Sequence, residues 1–210
     1  MTDTADPVVF LAGDAASFIT GKMLEVDAGI ETPNLPPCLP ETSSIWRVTT
    51  LPESEIDRGI FRTVLGHFAS GVAVVTGMDG AEPVGFTCQS FFSLSIDPPL
   101  IAIAPGRSST SWPRIEPAGC FSVSILSDGQ EHLARGFAAS GADKFQGVGW
   151  TPGRTGAPRL ADALAWVDCQ IEDVHDAGDH VLVIGSVKAL EGGRGEPLVF
   201  YRAGFGNFQP

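Results

Sequence analysis

The chain has 210 residues, of which 43% are hydrophobic and 18% are charged, which is typical of one globular domain and excludes disorder over most of the length. A formal net charge of −12, with Lys and Arg scattered along the chain, argues against nucleic acid as a partner. No uninterrupted apolar run reaches the roughly 18 residues of a membrane span, and the first residues carry acids rather than a basic signal-peptide start. We therefore expect neither secretion nor a membrane partner.

The cysteine pattern indicates neither a disulfide framework nor a metal site. Cys38, Cys88, Cys120 and Cys169 lie far apart, without a C-x-x-C pair and without a histidine at ligand spacing. Each falls in or near an apolar stretch, which predicts reduced, half-buried thiols in a cytoplasmic protein.

In chain order, the sequence divides near residue 52. Residues 1–51 are predicted to be an extension that ends in a proline-rich linker, TPNLPPCLP. Residues 52–210 are predicted to form the main domain. It begins with LPESEIDRGIFRTVLGHF, whose apolar residues recur at helical spacing behind acids that favour a helix N-terminus.

The remaining chain has mainly the period of two that predicts strands. A hairpin is expected at Asp79-Gly80, and short helices are expected at 130–139 and 143–146. Because crossover helices are missing, the pattern favours an antiparallel barrel with a few peripheral helices over a doubly wound sheet. The predicted strands cover residues 69–77, 84–89, 100–104, 119–126, 164–174, 180–190 and 198–201.

The stretch GFTCQSFFSLSIDPPL, residues 85–100, holds more hydroxyls and amides than a buried strand needs. Alternating polar groups with phenylalanines suit a flavin ring, which requires hydrogen-bond partners along one edge and apolar walls at the other. Asp97-Pro98-Pro99 is expected to turn the chain back, and Ser93 and Ser95 have the alternative role of satisfying backbone at that turn.

Two further motifs point to the same kind of ligand. APGRSSTSW, residues 104–112, follows a strand and combines a small residue, an arginine and several hydroxyls, as a phosphate site requires; its alternative interpretation is a serine-rich turn that caps a short helix. His180 follows a Gly-Asp turn at the start of a long strand, where its ring is expected to project from the barrel mouth; a plain surface histidine is the alternative. No G-x-G-x-x-G follows a strand.

From about residue 61 onward the chain resembles the flavin reductase domain family, the FMN-binding split barrels that serve as reductase components of two-component monooxygenases. The motifs that carry the resemblance are FASGVAVVT, PVGFTCQSFFSLSIDPPL, GRSSTSW, GCFSVSIL, ADKF, LADALAWVDCQI, GDHVLVIGSV and PLVFYRAGFG. Within the family the C-Q-S-F form is similar to actinobacterial-type reductases that supply hydroxylases of aromatic or steroid-derived rings.

The resemblance implies a mainly β, six-stranded antiparallel split barrel and hydride transfer from NADH (or NADPH) to FMN (or FAD). It also implies a homodimer whose interface helps to build the pocket, and an oxygenase partner reached by diffusing reduced flavin. His180 would place the nicotinamide, and Tyr201 and Arg202 would touch the dinucleotide. The flavin-binding residues implied are Gly85, Phe86, Thr87, Cys88, Gln89, Ser90, Ser93, Gly106, Arg107, Ser108, Ser109, Lys144 and Phe145.

Residues 7–30, PVVFLAGDAASFITGKMLEVDAGI, resemble the carboxy-terminal end of short-chain dehydrogenases. The Gly-rich loop and the Tyr-x-x-x-Lys pair of that family are missing, so no dehydrogenase activity is expected. Two other hypotheses remain open for the whole chain: a non-catalytic flavin-binding or electron-carrier protein on the same barrel, and a structural subunit whose extension binds a larger complex.

Overall fold

The computed structural model describes residues 56–141 and 143–208. The proline-rich linker, the dehydrogenase-like segment, the expected boundary at residues 51 and 52, and Cys38 all lie outside the described residues. The contacts divide the chain into two compact units that meet in sequence between Leu65 and Gly66.

In the first unit the described residues form one helix, α1 (Arg58–Leu65). Asp57 caps it, since its side-chain oxygen accepts a hydrogen bond from the Ile60 amide at 2.9 Å and its carbonyl accepts one from the Phe61 amide at 2.9 Å. The apolar spacing therefore correctly predicted a helix, and the cap explains why it starts after the acidic residues rather than among them.

The second unit is built on a seven-stranded antiparallel sheet in the order β3-β2-β6-β9-β10-β5-β4. Its strands are β2 (Ala73–Asp79), β3 (Glu82–Cys88), β4 (Phe92–Ser95), β5 (Leu100–Ile103), β6 (Cys120–Ile125), β9 (Ala165–Ala177) and β10 (His180–Gly192). The prediction of a six-stranded split barrel was wrong in strand number: this sheet has seven strands, and within the described residues no ladder joins β3 to β4 to close a barrel. The extra strand, β4, was not among the predicted strands, because serines alternate along it.

Smaller elements complete the unit. A second sheet pairs β1 (Ser70–Gly71), β11 (Leu198–Tyr201) and β12 (Gly204–Asn207), and a two-stranded ribbon pairs β7 (Trp150–Pro152) with β8 (Pro158–Leu160). The helices are α2 (Trp112–Ile115) and α3 (Glu131–Ala138), with 3₁₀ turns at Glu116–Ala118 and Asp128–Gln130. The mainly β class with few helices is thus confirmed. The helix expected at 143–146 is instead a pair of turns, closed by hydrogen bonds from Gln146 to Asp143 and from Val148 to Phe145.

Two apolar clusters lie on opposite faces of β2. Ala73 and Val75 join the first cluster with Ile103, Phe121, Val123 and Val183, which come from strands across the whole sheet. Val74 joins the second cluster, which includes Phe137 of α3 and Leu160 of β8. Because both faces of β2 are covered, its sequence is apolar at consecutive positions rather than at alternate ones. The sheet therefore wraps round the first cluster while α3 packs outside it.

None of the helices in residues 56–141 and 143–208 is long and apolar enough to cross a membrane.

Candidate functional site

Strand β3 and helix α3 form one wall of the candidate site. A Cβ on Gly85 would lie 2.8 Å from the Phe137 ring and 3.0 Å from the Val75 carbonyl oxygen, so only glycine lets the helix approach this closely. The Thr87 hydroxyl donates a hydrogen bond to the Ala134 carbonyl at 2.6 Å. Gly85 and Thr87 therefore fix α3 on the strand, a role that does not depend on any ligand.

The serine-rich loop between β5 and α2 forms the opposite wall. It closes on itself through a hydrogen bond from the Ser109 amide to the Gly106 carbonyl at 2.9 Å. The Ser109 hydroxyl accepts from the amides of Ser111 at 3.3 Å and Trp112 at 3.1 Å. Ser109 therefore binds the backbone at the start of α2, although the N-cap position itself is Ser111, whose side chain makes no capping hydrogen bond. Ser108 is exposed on the loop.

Lys144 connects these walls. Its Nζ donates hydrogen bonds to the Gly85 carbonyl at 3.2 Å, the Ser111 hydroxyl at 3.2 Å and the Phe137 carbonyl at 2.9 Å. All three acceptors are uncharged, and partial burial lowers the pKa of the Lys144 ammonium. The site therefore holds a positive charge that no carboxylate of the described residues pairs with.

Two cavities adjoin at Lys144. The smaller one, of about 290 Å³, lies between the serine-rich loop and the end of α3. The larger one, of about 710 Å³, extends from Lys144 along β3 towards Arg114. The lining combines hydroxyls, exposed loop backbone and the Lys144 cation with apolar strand walls. This combination suits a ligand that carries phosphate on a planar ring system.

The structure brings together eight of the thirteen predicted flavin residues. Phe86, Thr87, Gly106, Ser108, Ser109 and Lys144 line the smaller cavity, and Gly85, Lys144 and Phe145 line the larger one. Phe145 is held by edge-to-face contacts with Phe137, at 5.0 Å between ring centroids, and with Trp150, at 6.3 Å.

Other predicted flavin residues line neither cavity. Cys88 is 4% exposed within the first apolar cluster, and burial raises the pKa of its thiol. The Ser90 hydroxyl accepts from the Ala104 amide at 2.9 Å and donates to the Ala104 carbonyl at 3.2 Å, so it joins two chain segments. Gln89 is exposed, and Ser93 is half-buried on β4.

Arg107 is turned away from the cavities. Its guanidinium forms an ion pair with Asp176 and donates through Nε to the Gly178 carbonyl at 3.1 Å. These contacts fasten the serine-rich loop to the tip of the β9–β10 hairpin, together with a backbone hydrogen bond from Arg107 to the Asp179 carbonyl at 2.9 Å.

His180 lies beside the serine-rich loop, paired with Gly106 in an isolated β-bridge. Its Nδ1 is 2.7 Å from the Asp179 carboxylate, and a Cβ on Gly106 would lie 3.6 Å from its Nε2. The histidine therefore stands at the loop, with Nε2 facing Gly106.

Tyr201 and Arg202 lie at the β11–β12 hairpin. The Tyr201 ring meets the His67 ring edge to face at 6.3 Å. Arg202 and Ala203 form the loop with φ of 48° and 63°, and the Arg202 amide donates to the Gly66 carbonyl at 3.0 Å. Neither residue lines the two cavities.

Sequence reasoning missed three charged residues of the larger cavity: Glu82, Arg114 and Asp143. Arg114 donates to Asp79 and Glu82 at 2.7 Å each. No motif marks Glu82, which follows a hairpin turn, or Arg114, which lies on a four-residue helix, whereas Asp143 was visible in the ADKF motif. Thr110 and Ser111, which line both cavities, were visible in the GRSSTSW motif.

The chain is similar in sequence and in fold to known flavin reductases. The flavin reductase like domain matches residues 65–209. The reductase subunit HsaB of a flavin-dependent monooxygenase from Rhodococcus jostii (strain RHA1) is 44% identical over 156 residues, 74% of this chain and 80% of HsaB. The FMN reductase (NADH) SmoA of Agrobacterium fabrum is 37% identical over 148 residues, 70% of this chain and 84% of SmoA.

Among solved structures, the NADH:FAD oxidoreductase SgcE6 of Streptomyces globisporus C-1027, in complex with NAD and FAD fragments, superposes with a TM-score of 0.70. It is 38% identical, and the match covers 73% of this chain and 94% of SgcE6. The family match spans more than half of the chain, and it includes both walls of the site and Lys144. The chain therefore belongs to the flavin reductase family.

Proposed function

We propose that this protein is an NAD(P)H-dependent flavin reductase that supplies reduced FMN or FAD to a separate monooxygenase. In the overall reaction a hydride, carrying two electrons, passes from the nicotinamide to the flavin, and a proton from solvent completes the reduced flavin. The proposed oxygenase partner oxidises an aromatic or steroid-derived ring. The observation that carries the proposal is the Lys144 ammonium between the serine-rich loop and β3, which no carboxylate in residues 56–141 and 143–208 pairs with.

The protein's own contribution is to bind and orient the two reactants and to exclude water. Phe86 and Thr87 would form the flavin wall, and Gly106, Ser108 and Ser109 would receive the phosphate. Cys88, Gln89, Ser90 and Ser93 line neither cavity; Cys88 and Ser90 would support the wall from behind, through core packing and through the hydrogen bonds to Ala104. Arg107 would act by holding the loop rather than by touching phosphate, since its guanidinium is paired with Asp176.

His180 is proposed to place the nicotinamide, with Tyr201 and Arg202 as further dinucleotide contacts. Its Nδ1 contact with Asp179 fixes the ring and leaves Nε2 beside the loop as the hydrogen-bonding atom. A hydrogen bond between this atom and the nicotinamide carboxamide would set the distance of the nicotinamide from the flavin without any proton transfer.

Steady-state kinetics with NADH and with NADPH, each combined with FMN and with FAD, test the function. We expect oxidation of the nicotinamide to require added flavin, with one flavin reduced per nicotinamide consumed when oxygen is absent. Tight flavin binding without nicotinamide oxidation would instead support a non-catalytic carrier and would overturn the proposal.

The His180→Ala variant tests the nicotinamide role. The KM for the nicotinamide should rise about tenfold, the value of one lost hydrogen bond with a positioned group, while the KM for flavin changes less than about twofold. His132→Ala is the matched control, because His132 is exposed on α3. Equal increases in both KM values would contradict the assigned role.

We also propose a homodimer that uses the outer face of β4. Phe92 and Leu94 on this strand are 45% and 42% exposed, and Ile96 just after it is 61% exposed, while Ser93 and Ser95 face inward. A solvated edge strand exposes polar side chains and turns apolar ones inward, whereas β4 does the opposite. Apolar residues at alternate exposed positions favour a protein contact. A molar mass of one chain in solution, measured by light scattering, would exclude this dimer.

A further inference from the structure

A third cavity, of about 390 Å³, has no lining residue in common with the two cavities beside Lys144. Its volume lies in the range of small-molecule pockets, so it has room for an organic ligand. We call it the ribbon cavity, and it is lined by residues 118–119, Cys120, Arg154, Thr155, Gln170 and Lys188.

One wall of the ribbon cavity is made by strands β6, β9 and β10. Cys120 and Gln170 are cross-strand partners on β6 and β9, so their side chains lie on the same face of the sheet. Lys188 is skipped in the pairing of β10 with β9, where the register shifts between Val187 and Ala189. Such a bulge redirects a side chain, and the Lys188 side chain lines the cavity at this point.

The other wall is the tip of the β7–β8 ribbon, which carries Arg154 and Thr155. The Arg154 amide donates to the Asp168 carboxylate at 2.6 Å, and the Cys120 thiol donates to the Thr155 carbonyl at 3.5 Å. A Cβ on Gly153 would lie 2.5 Å from both carboxylate oxygens of Asp168, so only glycine lets the ribbon approach this closely. The tip is therefore fixed on the sheet without the help of a ligand.

The lining of the ribbon cavity is positively charged. Arg154 and Lys188 supply two cations, and none of the described residues that line the cavity is acidic. In the part of the chain that the structure describes, neither cation belongs to an ion pair. The Asp168 carboxylate does not cancel them, because the Arg159 guanidinium at 2.6 Å already compensates it. Two unpaired cations on one cavity favour a ligand with two negative charges.

The neutral groups of the lining suit the rest of such a ligand. The Thr155 hydroxyl is shielded from solvent and has no hydrogen-bond partner among the described residues, which is uncommon for a buried hydroxyl. Gln170 is exposed, and its amide offers both donors and an acceptor. Burial raises the pKa of the Cys120 thiol, so this side chain stays neutral and does not repel an anion.

We propose that the ribbon cavity binds a small organic dianion, either a phosphate monoester or a dicarboxylate. The Arg154 guanidinium would bind one anionic group through two parallel hydrogen bonds, and the Lys188 ammonium would add a second charged contact. Inorganic phosphate would fill only a small part of about 390 Å³, so the ligand has a body that reaches Thr155 and Gln170. This binding does not depend on the proposed reduction of flavin.

Calorimetric titration of the full chain with glycerol 3-phosphate, succinate and inorganic phosphate tests the proposal. We expect at least one of the two organic dianions to bind with a Kd below about 1 mM. It should bind at least about fivefold more tightly than inorganic phosphate, the value of one additional hydrogen bond to its body. Binding of glycerol 3-phosphate alone would identify a phosphate monoester, and binding of succinate alone a dicarboxylate. If neither binds, or if inorganic phosphate binds as tightly, the proposal is overturned.

Variants locate the bound anion. Arg154→Met and Lys188→Met should each weaken its binding about tenfold, since a charge-assisted contact is lost, while flavin affinity stays unchanged. Arg135→Met is the matched control, because Arg135 is exposed on α3 and lines none of the three cavities. Equal losses in all three variants would mean non-specific attraction and would overturn the proposal. A loss in Lys144→Met without one in Arg154→Met would place the anion in the proposed flavin site and would also overturn it.

Discussion

Two charged side chains removed from solvent, Asp168 and Lys144, are accommodated in opposite ways. Asp168 on β9 is 0% exposed and accepts hydrogen bonds from the Arg159 guanidinium, the Ser122 hydroxyl at 2.8 Å and the Arg154 amide at 2.6 Å. Lys144 is partly buried and, among the residues that the structure describes, donates only to neutral acceptors. The carboxylate is therefore fully compensated by the fold, whereas the ammonium keeps its charge for an external partner.

The pKa values of the two groups reflect the same contrast. Burial by itself raises the pKa of Asp168, but the hydrogen bonds from Arg159, Ser122 and Arg154 outweigh it, so that the pKa lies below its ordinary value. For Lys144 nothing opposes burial, which lowers the pKa. A buried charge with all its partners in the protein indicates a structural role, and one without a countercharge indicates a ligand site.

The largest effect is expected from Asp168→Asn, which leaves the Arg159 guanidinium, 18% exposed, with only its longer contact to the exposed Glu191 carboxylate at 3.7 Å. Breaking such a pair from one side should lower the free energy of unfolding by about 3 kcal/mol, as measured by urea denaturation. Glu131→Gln is the control, because it breaks an exposed pair worth about 0.5 kcal/mol or less. If Asp168→Asn lowers the free energy of unfolding no more than Glu131→Gln does, Asp168 is not a structural charge of the kind contrasted here with Lys144.

A smaller effect, on binding rather than stability, is expected from Lys144→Met. Flavin affinity should fall about tenfold, since a charge-assisted contact is lost, and fluorescence titration of the flavin measures it. Lys188→Met is the matched control, as Lys188 is exposed on β10 and lines neither of the two cavities. If flavin affinity is unchanged, Lys144 serves only to join β3, α2 and α3.

The smallest difference is expected in the acid dependence of stability. Because the pKa of Asp168 is lower in the folded than in the unfolded chain, its contribution is complete above about pH 4 and is lost as the pH falls towards the folded-state pKa. Urea denaturation between about pH 3 and pH 6 should show a steeper loss for the wild type than for Asp168→Asn. Parallel curves for the two proteins would mean that other carboxylates dominate the acid dependence.

Local patterns predicted much of the fold. Apolar spacing and turn residues account for the helices α1 and α3, the hairpin at Asp79-Gly80 and the long strands β9 and β10. Strand β4 was missed because its exposed side chains are apolar and its inward ones are serines, which makes it look like a polar loop. The turn at 143–146 was predicted as a helix because short segments carry too little periodicity to distinguish the two.

The candidate site was predicted in its residue types but not in their roles. Polar residues of GFTCQSFF were interpreted as one ligand wall, yet the Ser90 hydroxyl bonds the Ala104 backbone and Cys88 packs in the core. Only Phe86 and Thr87 of the segment following Gly85 line the smaller cavity. A sequence lists the hydroxyls available, but it does not say which of them neighbouring backbone groups occupy.

The sequence by itself determined the mainly β class, the positions of the helix and strand segments, and the motifs that carry the family resemblance, because these depend on neighbours within a few positions. Only the tertiary structure decided where the uncompensated charge lies. Gly85, Ser111, Phe137 and Lys144 belong to separate parts of the chain, and their meeting depends on how α3 packs on the sheet. That packing results from the burial of Phe137 against Gly85, a long-range contact that no local pattern encodes.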